Sequence, residues 1–253
     1  MHWILIAILS CLIMIAPAWA GDMRVYTELS ANAMLKKSNR RTGGDANIVR
    51  EILARAGSDA QIEIVPWKRG YQALLTEENV ALFPTTLTKD REPLFHWVGP
   101  LFRLKWIFLA KRGSGLKINS LDDARKVKSI GTYQHDAKEQ FLLSQGFTNL
   151  MSTNTGVVNF NKLVEGRVDL VITSNLGVHM VSELAKLSPD EFEVVFTVRE
   201  VDLYLALSKA TDQAIVDEWR AAFESMKEDG TYLKIFKMWQ PLESPPEVPL
   251  PAE

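Results

Sequence analysis

Cysteine is all but missing from this chain. Cys11 is the single one in 253 residues, and it lies among the first twenty. Those twenty, MHWILIAILSCLIMIAPAWA, in turn lack Asp, Glu, Lys and Arg. Ile4 to Ile15 is almost wholly apolar, and Pro17 and the A-x-A pattern Ala18-Trp19-Ala20 follow it. The run falls short of the roughly 20 residues that a membrane span needs. Residues 1–20 therefore read as a secretory signal peptide cleaved after Ala20. The mature chain would then hold no cysteine, which excludes disulfides and thiol chemistry. An exported chain without an anchor points to the periplasm.

Charge of one sign is scarce as well. The formal net charge is -2, and a nucleic-acid binder needs a basic face, so nucleic acid is excluded as partner. No P-loop, G-x-S-x-G or G-x-G-x-x-G motif occurs, which leaves nucleotide-dependent and serine-hydrolase readings without support. His135, Asp136 and Glu139 stand close in sequence, but no second His or Cys lies near them, so neither a metal nor another cofactor is expected. Lys36, Lys37, Arg40 and Arg41 read as a solvated loop.

What is present is an ordinary globular composition, 47% apolar and 24% charged, long enough for one large or two modest domains. Strands and helices alternate. Met23–Thr27 reads as a strand, and Asp45 caps a helix carrying Ile48, Val49, Ile52 and Leu53. Gln61–Val65 is a half-buried strand, and Pro66 opens a helix with Trp67, Tyr71, Leu74 and Leu75. Val80–Phe83 is a buried strand, and Trp106–Ala110 another. A second unit repeats the pattern: strand Ser129–Tyr133, helices Ala137–Ser144 and Val157–Val164, strand Val168–Thr173, helix Leu176–Ala185 and strand Phe192–Val198. Strand Leu203–Leu207, a helix capped by Thr211 and a short helix through Trp239 close the body. Such alternation implies an α/β fold with mostly parallel sheets covered on both faces.

The stretch Pro66–Pro100 organises the rest. Pro84, Thr85, Thr86, Thr88 and Arg91 follow directly on the strand Val80–Phe83. Ligands of open α/β sheets bind outside the carboxyl ends of strands, and an Arg fork beside hydroxyls there suits a small anion. The plain alternative for Arg91 is a surface ion pair with Asp90 or Glu92. Trp67 could serve the core or form a ligand shelf, whereas Phe95 and Trp97 read as core.

Four motifs in order resemble those of the bacterial extracellular solute-binding proteins of family 3. These are Thr86-Leu87-Thr88-Lys89-Asp90-Arg91, Phe95-His96-Trp97-Val98-Gly99-Pro100, Gly166-Arg167-Val168-Asp169-Leu170-Val171 and Lys227-Glu228-Asp229-Gly230-Thr231-Tyr232. The resemblance implies a two-lobed type II periplasmic-binding-protein fold with two hinge crossovers. Lobe 1 would take 21–102 plus 203–240, lobe 2 would take 103–202, and the Pro-rich 241–253 would form a disordered tail. It implies a non-enzymatic, monomeric protein that closes on a small-molecule solute. The partner would be an ABC permease in the inner membrane, or a sensor.

Residue by residue, the resemblance places Arg91 and Thr86 on a ligand carboxylate, and Glu28 and Trp67 along the ligand side chain. Two departures alter the site. The helix-start anion site of the family reads His135-Asp136-Ala137 here, and the Asp136 charge would repel a carboxylate. The acid that holds a ligand ammonium is replaced by Ser174. Either Glu28 or Asp136 would have to supply that charge. The expected solute is small and polar or carboxylate-bearing. The alternative is a dehydratase-like enzyme on the same fold.

Overall fold

A computed structural model describes residues 23–28, 35–36, 41–42, 44–240 and 243–252. The expected signal peptide, Cys11 and most of the Lys36–Arg41 loop lie outside the described residues. No helix among the described residues is long and apolar enough to cross a membrane.

The elements in chain order are β1 (Arg24–Thr27), β2 (Leu35–Lys36), β3 (Arg41–Thr42), α1 (Gly44–Arg55), β4 (Ile62–Ile64), α2 (Trp67–Thr76), β5 (Val80–Thr86) and β6 (Phe95–Lys111). Then come α3 (Leu121–Lys126), β7 (Ile130–Tyr133), α4 (Ala137–Ser144), β8 (Leu150–Thr153), α5 (Gly156–Val164), β9 (Leu170–Ser174), α6 (Gly177–Ala185), β10 (Phe192–Ser208), α7 (Gln213–Glu228) and α8 (Thr231–Trp239).

Eight strands form one sheet in the order β4-β1-β5-β10-β6-β9-β7-β8, and β2 and β3 pair separately. The two outer groups are parallel within themselves, β1 with β4 and β5, and β7 with β8 and β9. Between them run the 17-residue strands β6 and β10, antiparallel to each other and to their neighbours β5 and β9. Strand β5 pairs with the last third of β10 (Leu203–Leu207), and β9 pairs with the last third of β6 (Trp106–Ala110). Among the described residues, the middle of the long pair, where Arg103 faces Asp202, is therefore the only sheet linking the two halves.

That continuity departs from the sequence reading, which saw two separate strands in Phe192–Leu207 and none in Phe95–Leu104. The polar residues Arg199, Glu200, Asp202 and Arg103 break the apolar periodicity there, yet pairing carries the backbone through them. Strand β8 was not anticipated either. Its burial pattern is half to fully exposed, so it lacks the apolar signal of an inner strand.

Four apolar clusters hold helices to both faces. One joins α1, α7 and α8 to the first half, and Trp219, Phe223 and Phe236 are fully buried in it. A second packs α2, through Trp67 and Leu74, on the opposite face. The second half is covered by α3 and α4 on one side (Leu142, Phe147) and by α5 and α6 on the other (Phe160, Val181). Gly70 shows how tightly α2 sits: a Cβ there would come within 2.9 Å of Leu82. Ser120, Asp136, Thr155 and Asp212 cap α3, α4, α5 and α7 with their side chains.

The Pro-rich end, expected as a disordered tail, makes defined contacts. Arg103 Nη2 donates to the Val248 carbonyl at 2.8 Å, and the Leu250 N–H donates to Asp202 Oδ2 at 2.7 Å. Both anchors are the residues that face each other between the two halves of the sheet.

Candidate functional site

The parallel strands of each half point their carboxyl ends at the gap between the halves. Glu28 follows β1, Trp67 follows β4 and Thr86 ends β5. From the other side, Asp136 follows β7 and Ser174 ends β9. All six residues singled out in the sequence, Arg91, Thr86, Glu28, Trp67, Asp136 and Ser174, line one cavity of about 100 Å³ in this gap. Pro84, Leu104, Trp106 and Leu203 complete its apolar walls.

Arg91 is the dominant group. It is 1% exposed, and among the described residues no carboxylate is in ion-pair contact with it, Asp90 and Glu92 included, although the Asp136 charge acts on it. Its guanidinium lies 4.7 Å from the Tyr71 ring centroid and 5.6 Å from that of Trp67, which itself stacks on Tyr71. Nη2 donates to Gln140 Oε1 at 3.0 Å and to the His135 carbonyl at 3.4 Å. Nε and Nη1 are buried without a partner. Burial lowers the pKa of Arg91 from its usual range, although a guanidinium stays charged at any physiological pH. A buried cation with two unused donors is costly unless an anion meets it.

Trp67 is both core and cavity wall. It is 5% exposed, belongs to the α2 cluster, and donates Nε1–H to the His135 carbonyl at 3.2 Å. Thr86 is 8% exposed at the chamber, while its neighbour Thr85 spends its hydroxyl on the Leu82 carbonyl.

Glu28 accepts from the Tyr133 hydroxyl at 3.2 Å. It is half-buried by surface, yet protein crowds it, since its opening is the narrow chamber itself. Burial pushes its carboxyl up to about 7, and the neighbouring Asp136 charge adds to the rise. Asp136 caps α4 by accepting the Lys138 N–H at 2.7 Å, and its Oδ2 sits 2.9 Å from Lys138 Nζ. The repulsion expected from Asp136 towards an anion is thus offset by Lys138. Ser174 accepts the Gly177 N–H at 3.0 Å, which closes the turn into α6, and brings no charge.

Sequence reasoning missed Lys138, Tyr71, Gln140 and Trp106. Tyr71 was within reach, because it lies one helical turn from Trp67 and so shares its face. Gln140 stands in the same relation to Asp136. Lys138 gave no signal, since one lysine in a first helical turn is common. Of the other residues considered for metal, Glu139 spends its oxygens on the Thr132 hydroxyl and the His135 N–H, both at 2.8 Å. No group of three or more metal-ligating side chains exists among the described residues.

A second, larger cavity of about 640 Å³ opens beside the first. Glu28, Asp136, Lys138 and Ser174 line both, so they form the junction. Beyond the junction the walls are mostly apolar, drawn from the β4–α2 turn, α5 and α6.

An α/β protein whose two sheet halves, linked through one long strand pair, face each other across an anion-ready chamber has the architecture of a cleft binder. The chain belongs to the bacterial extracellular solute-binding proteins, family 3, whose family model matches residues 24–241. It is similar to the amino-acid-binding protein AabA of Dichelobacter nodosus, at 22% identity over 87% of each chain. Among solved structures, a histidine kinase sensor domain with similarity to periplasmic binding proteins superposes with a TM-score of 0.76 at 14% identity, over 86% of this chain and 95% of that one. An ancestral arginine-binding protein bound to arginine gives 0.74 at 23% identity, over 87% and 98%. These likenesses establish the type II periplasmic-binding fold.

Proposed function

We propose that this protein captures a small carboxylate-bearing solute by closing two lobes around it in the periplasm, and delivers it to an ABC permease of the inner membrane. Lobe 1 is 21–102 plus 203–240, lobe 2 is 103–202, and they hinge on the β6–β10 pair near Arg103 and Asp202. The protein acts as a monomer and performs no chemistry. The observation that carries this reading is Arg91: a guanidinium buried at the chamber wall, with Nε and Nη1 unpartnered. Its contacts with His135 and Gln140, and that of Trp67 with His135, join the two lobes across the gap, as a closed binder requires. The name of the relative AabA adds support for an amino acid as the solute.

Thermal denaturation tests it. A solute at a hundred times its Kd stabilises by about 2.7 kcal/mol, which raises the Tm by roughly 5–10 °C in a chain of this size. Carboxylates should produce that rise, and Arg91→Ala should abolish it. Absence of any rise across amino acids and organic acids sinks the proposal.

One observation favours a second reading, a dehydratase-like enzyme. Glu28 is a cleft carboxyl whose pKa of about 7 suits proton transfer. Recovery of the bound solute unchanged after prolonged incubation decides for binding.

A further inference from the structure

The small chamber and the larger annex form one bent space with three chemically different parts. The chamber, about 100 Å³, has room for roughly three waters, which is about the size of a carboxylate group. Its cation, Arg91, has two donors free for such a group. At the junction stand two carboxyls, Glu28 and Asp136. Lys138 is paired with Asp136. Among the described residues the Glu28 carboxyl has the Tyr133 hydroxyl as its hydrogen-bond partner and shares the Lys138 charge with Asp136, so two carboxyls face one cation and the junction has room for another. Past it, Ile64, Val65, Val157, Phe160, Val181 and Leu184 line the annex of about 640 Å³.

We infer that the solute is an α-amino acid with a bulky apolar side chain, its carboxylate on Arg91, its ammonium at the Glu28–Asp136 junction and its side chain in the annex. The inference rests on the carboxylate-binding reading above and adds to it both the cation and the side-chain class. The order of groups in an α-amino acid matches the order of the three parts. Glu28, on lobe 1, takes over the ammonium that Ser174, a neutral hydroxyl already engaged by Gly177, cannot balance. Asn154, Thr155, Asn159 and Thr173 also line the annex, but Thr155 Oγ1 already accepts the Val158 N–H and Asn159 Nδ2 already donates to the Thr132 carbonyl. The larger apolar share of the wall is therefore the basis of discrimination against a charged or amide side chain.

Isothermal titration of the full-length mature protein, dialysed free of solute, tests this. Leucine or phenylalanine should bind about tenfold or more tighter than alanine, glutamine or arginine. Leucine without its ammonium (4-methylpentanoate) and without its carboxylate (3-methylbutylamine) should each bind about a hundredfold more weakly. Gly156 faces the annex from the start of α5: a Cβ there would meet Val181 at 3.5 Å without a clash. Gly156→Leu should therefore narrow the annex, weakening leucine about tenfold more than alanine. Leu184→Trp, at the 39% exposed rim, repeats the test should the first variant fold poorly. Equal affinity for polar amino acids, or 4-methylpentanoate equal to leucine, overturns the inference and leaves the carboxylate reading standing. No binding by any carboxylate removes both.

Discussion

Arg91, after β5, donates its Nη2–H to Gln140 Oε1 on α4 across 3.0 Å, so the group proposed to meet an anion also latches the two halves of the sheet together. The latch uses one nitrogen and leaves two for ligand. A hydrogen bond to a charged group is worth about 1.5–3 kcal/mol. Gln140→Ala should remove that much from the closed state alone, and weaken solute binding by roughly ten- to a hundredfold. Calorimetry checks this. Unchanged affinity would mean that the latch has no part in closure.

The same burial makes Arg91 a liability when the cleft is empty. Its charge and two donors are desolvated, and the aromatic faces, the latch, the His135 carbonyl and the Asp136 charge offset that only in part, since burial still lowers its pKa. Arg91→Met keeps the stem volume and removes the charge. It should raise the Tm of the solute-free protein by about 2–6 °C, from roughly 1–2 kcal/mol, while abolishing the solute-induced rise. A lower Tm for the empty variant would mean that the cation–π and latch contacts outweigh desolvation.

Glu28 links the cleft to pH. Its folded pKa, about 7, is above the ordinary carboxyl value, so its protonated form favours the folded state. That stabilising effect is complete below about pH 4.5 and is lost as pH rises through 7. Asp45, also buried and raised to about 7, acts in the same direction. The Tm of the empty protein should therefore fall between pH 5 and 8, and Glu28→Gln should remove only part of the slope. Amino-acid affinity should run the opposite way. The ammonium needs Glu28 ionised, with Tyr133, Asp136 and Lys138 as its charged or polar neighbours. Binding should strengthen by up to about tenfold from pH 6 to 7 and level off above. Affinity that falls over this range would place no cation at Glu28.

Much of this was legible in the sequence, for identifiable reasons. Helix α4 announces itself by its cap Asp136, and α2 and α7 by apolar spacing, although Asp212 and not the expected Thr211 caps α7 and no side chain caps α2. Strands β5 and β9 announce themselves by apolar runs. Thr86 and Arg91 were picked out because ligands of an α/β sheet bind at strand ends, and Glu28, Trp67, Asp136 and Ser174 by the family resemblance; all six candidates line one chamber. What stayed hidden depends on partners distant in sequence. Nothing in Lys138 shows that it neutralises Asp136 beside the chamber, nor in Arg91 that Gln140 lies opposite it. The fusion of the two sheets was invisible for the same reason. Arg103 and Asp202 look like surface charges until strand pairing sets them face to face.

That pair is also where the chain end is held. Arg103 grips Asp202 through Nε at 2.7 Å and Nη2 at 3.0 Å, and Asp202 is buried, with its side chain 1% exposed. The 243–252 segment adds the Val248 carbonyl to the arginine and the Leu250 N–H to the aspartate, so four hydrogen bonds converge on the proposed hinge. Removing the arginine leaves a buried carboxylate with, among the described residues, only the Leu250 amide as partner, which should cost more than removing the segment. Arg103→Ala should destabilise by about 2–3 kcal/mol, whereas ending the chain at Gln240 should cost about 1–2 kcal/mol. Urea denaturation of the solute-free protein measures both. Because the segment is bonded to the strand pair proposed to flex on closure, its loss should also change the rate of solute capture in stopped-flow fluorescence, read through Trp67 and Trp106 at the chamber wall. A truncated chain with unchanged stability and unchanged capture rate would show that the segment rests on the hinge without restraining it.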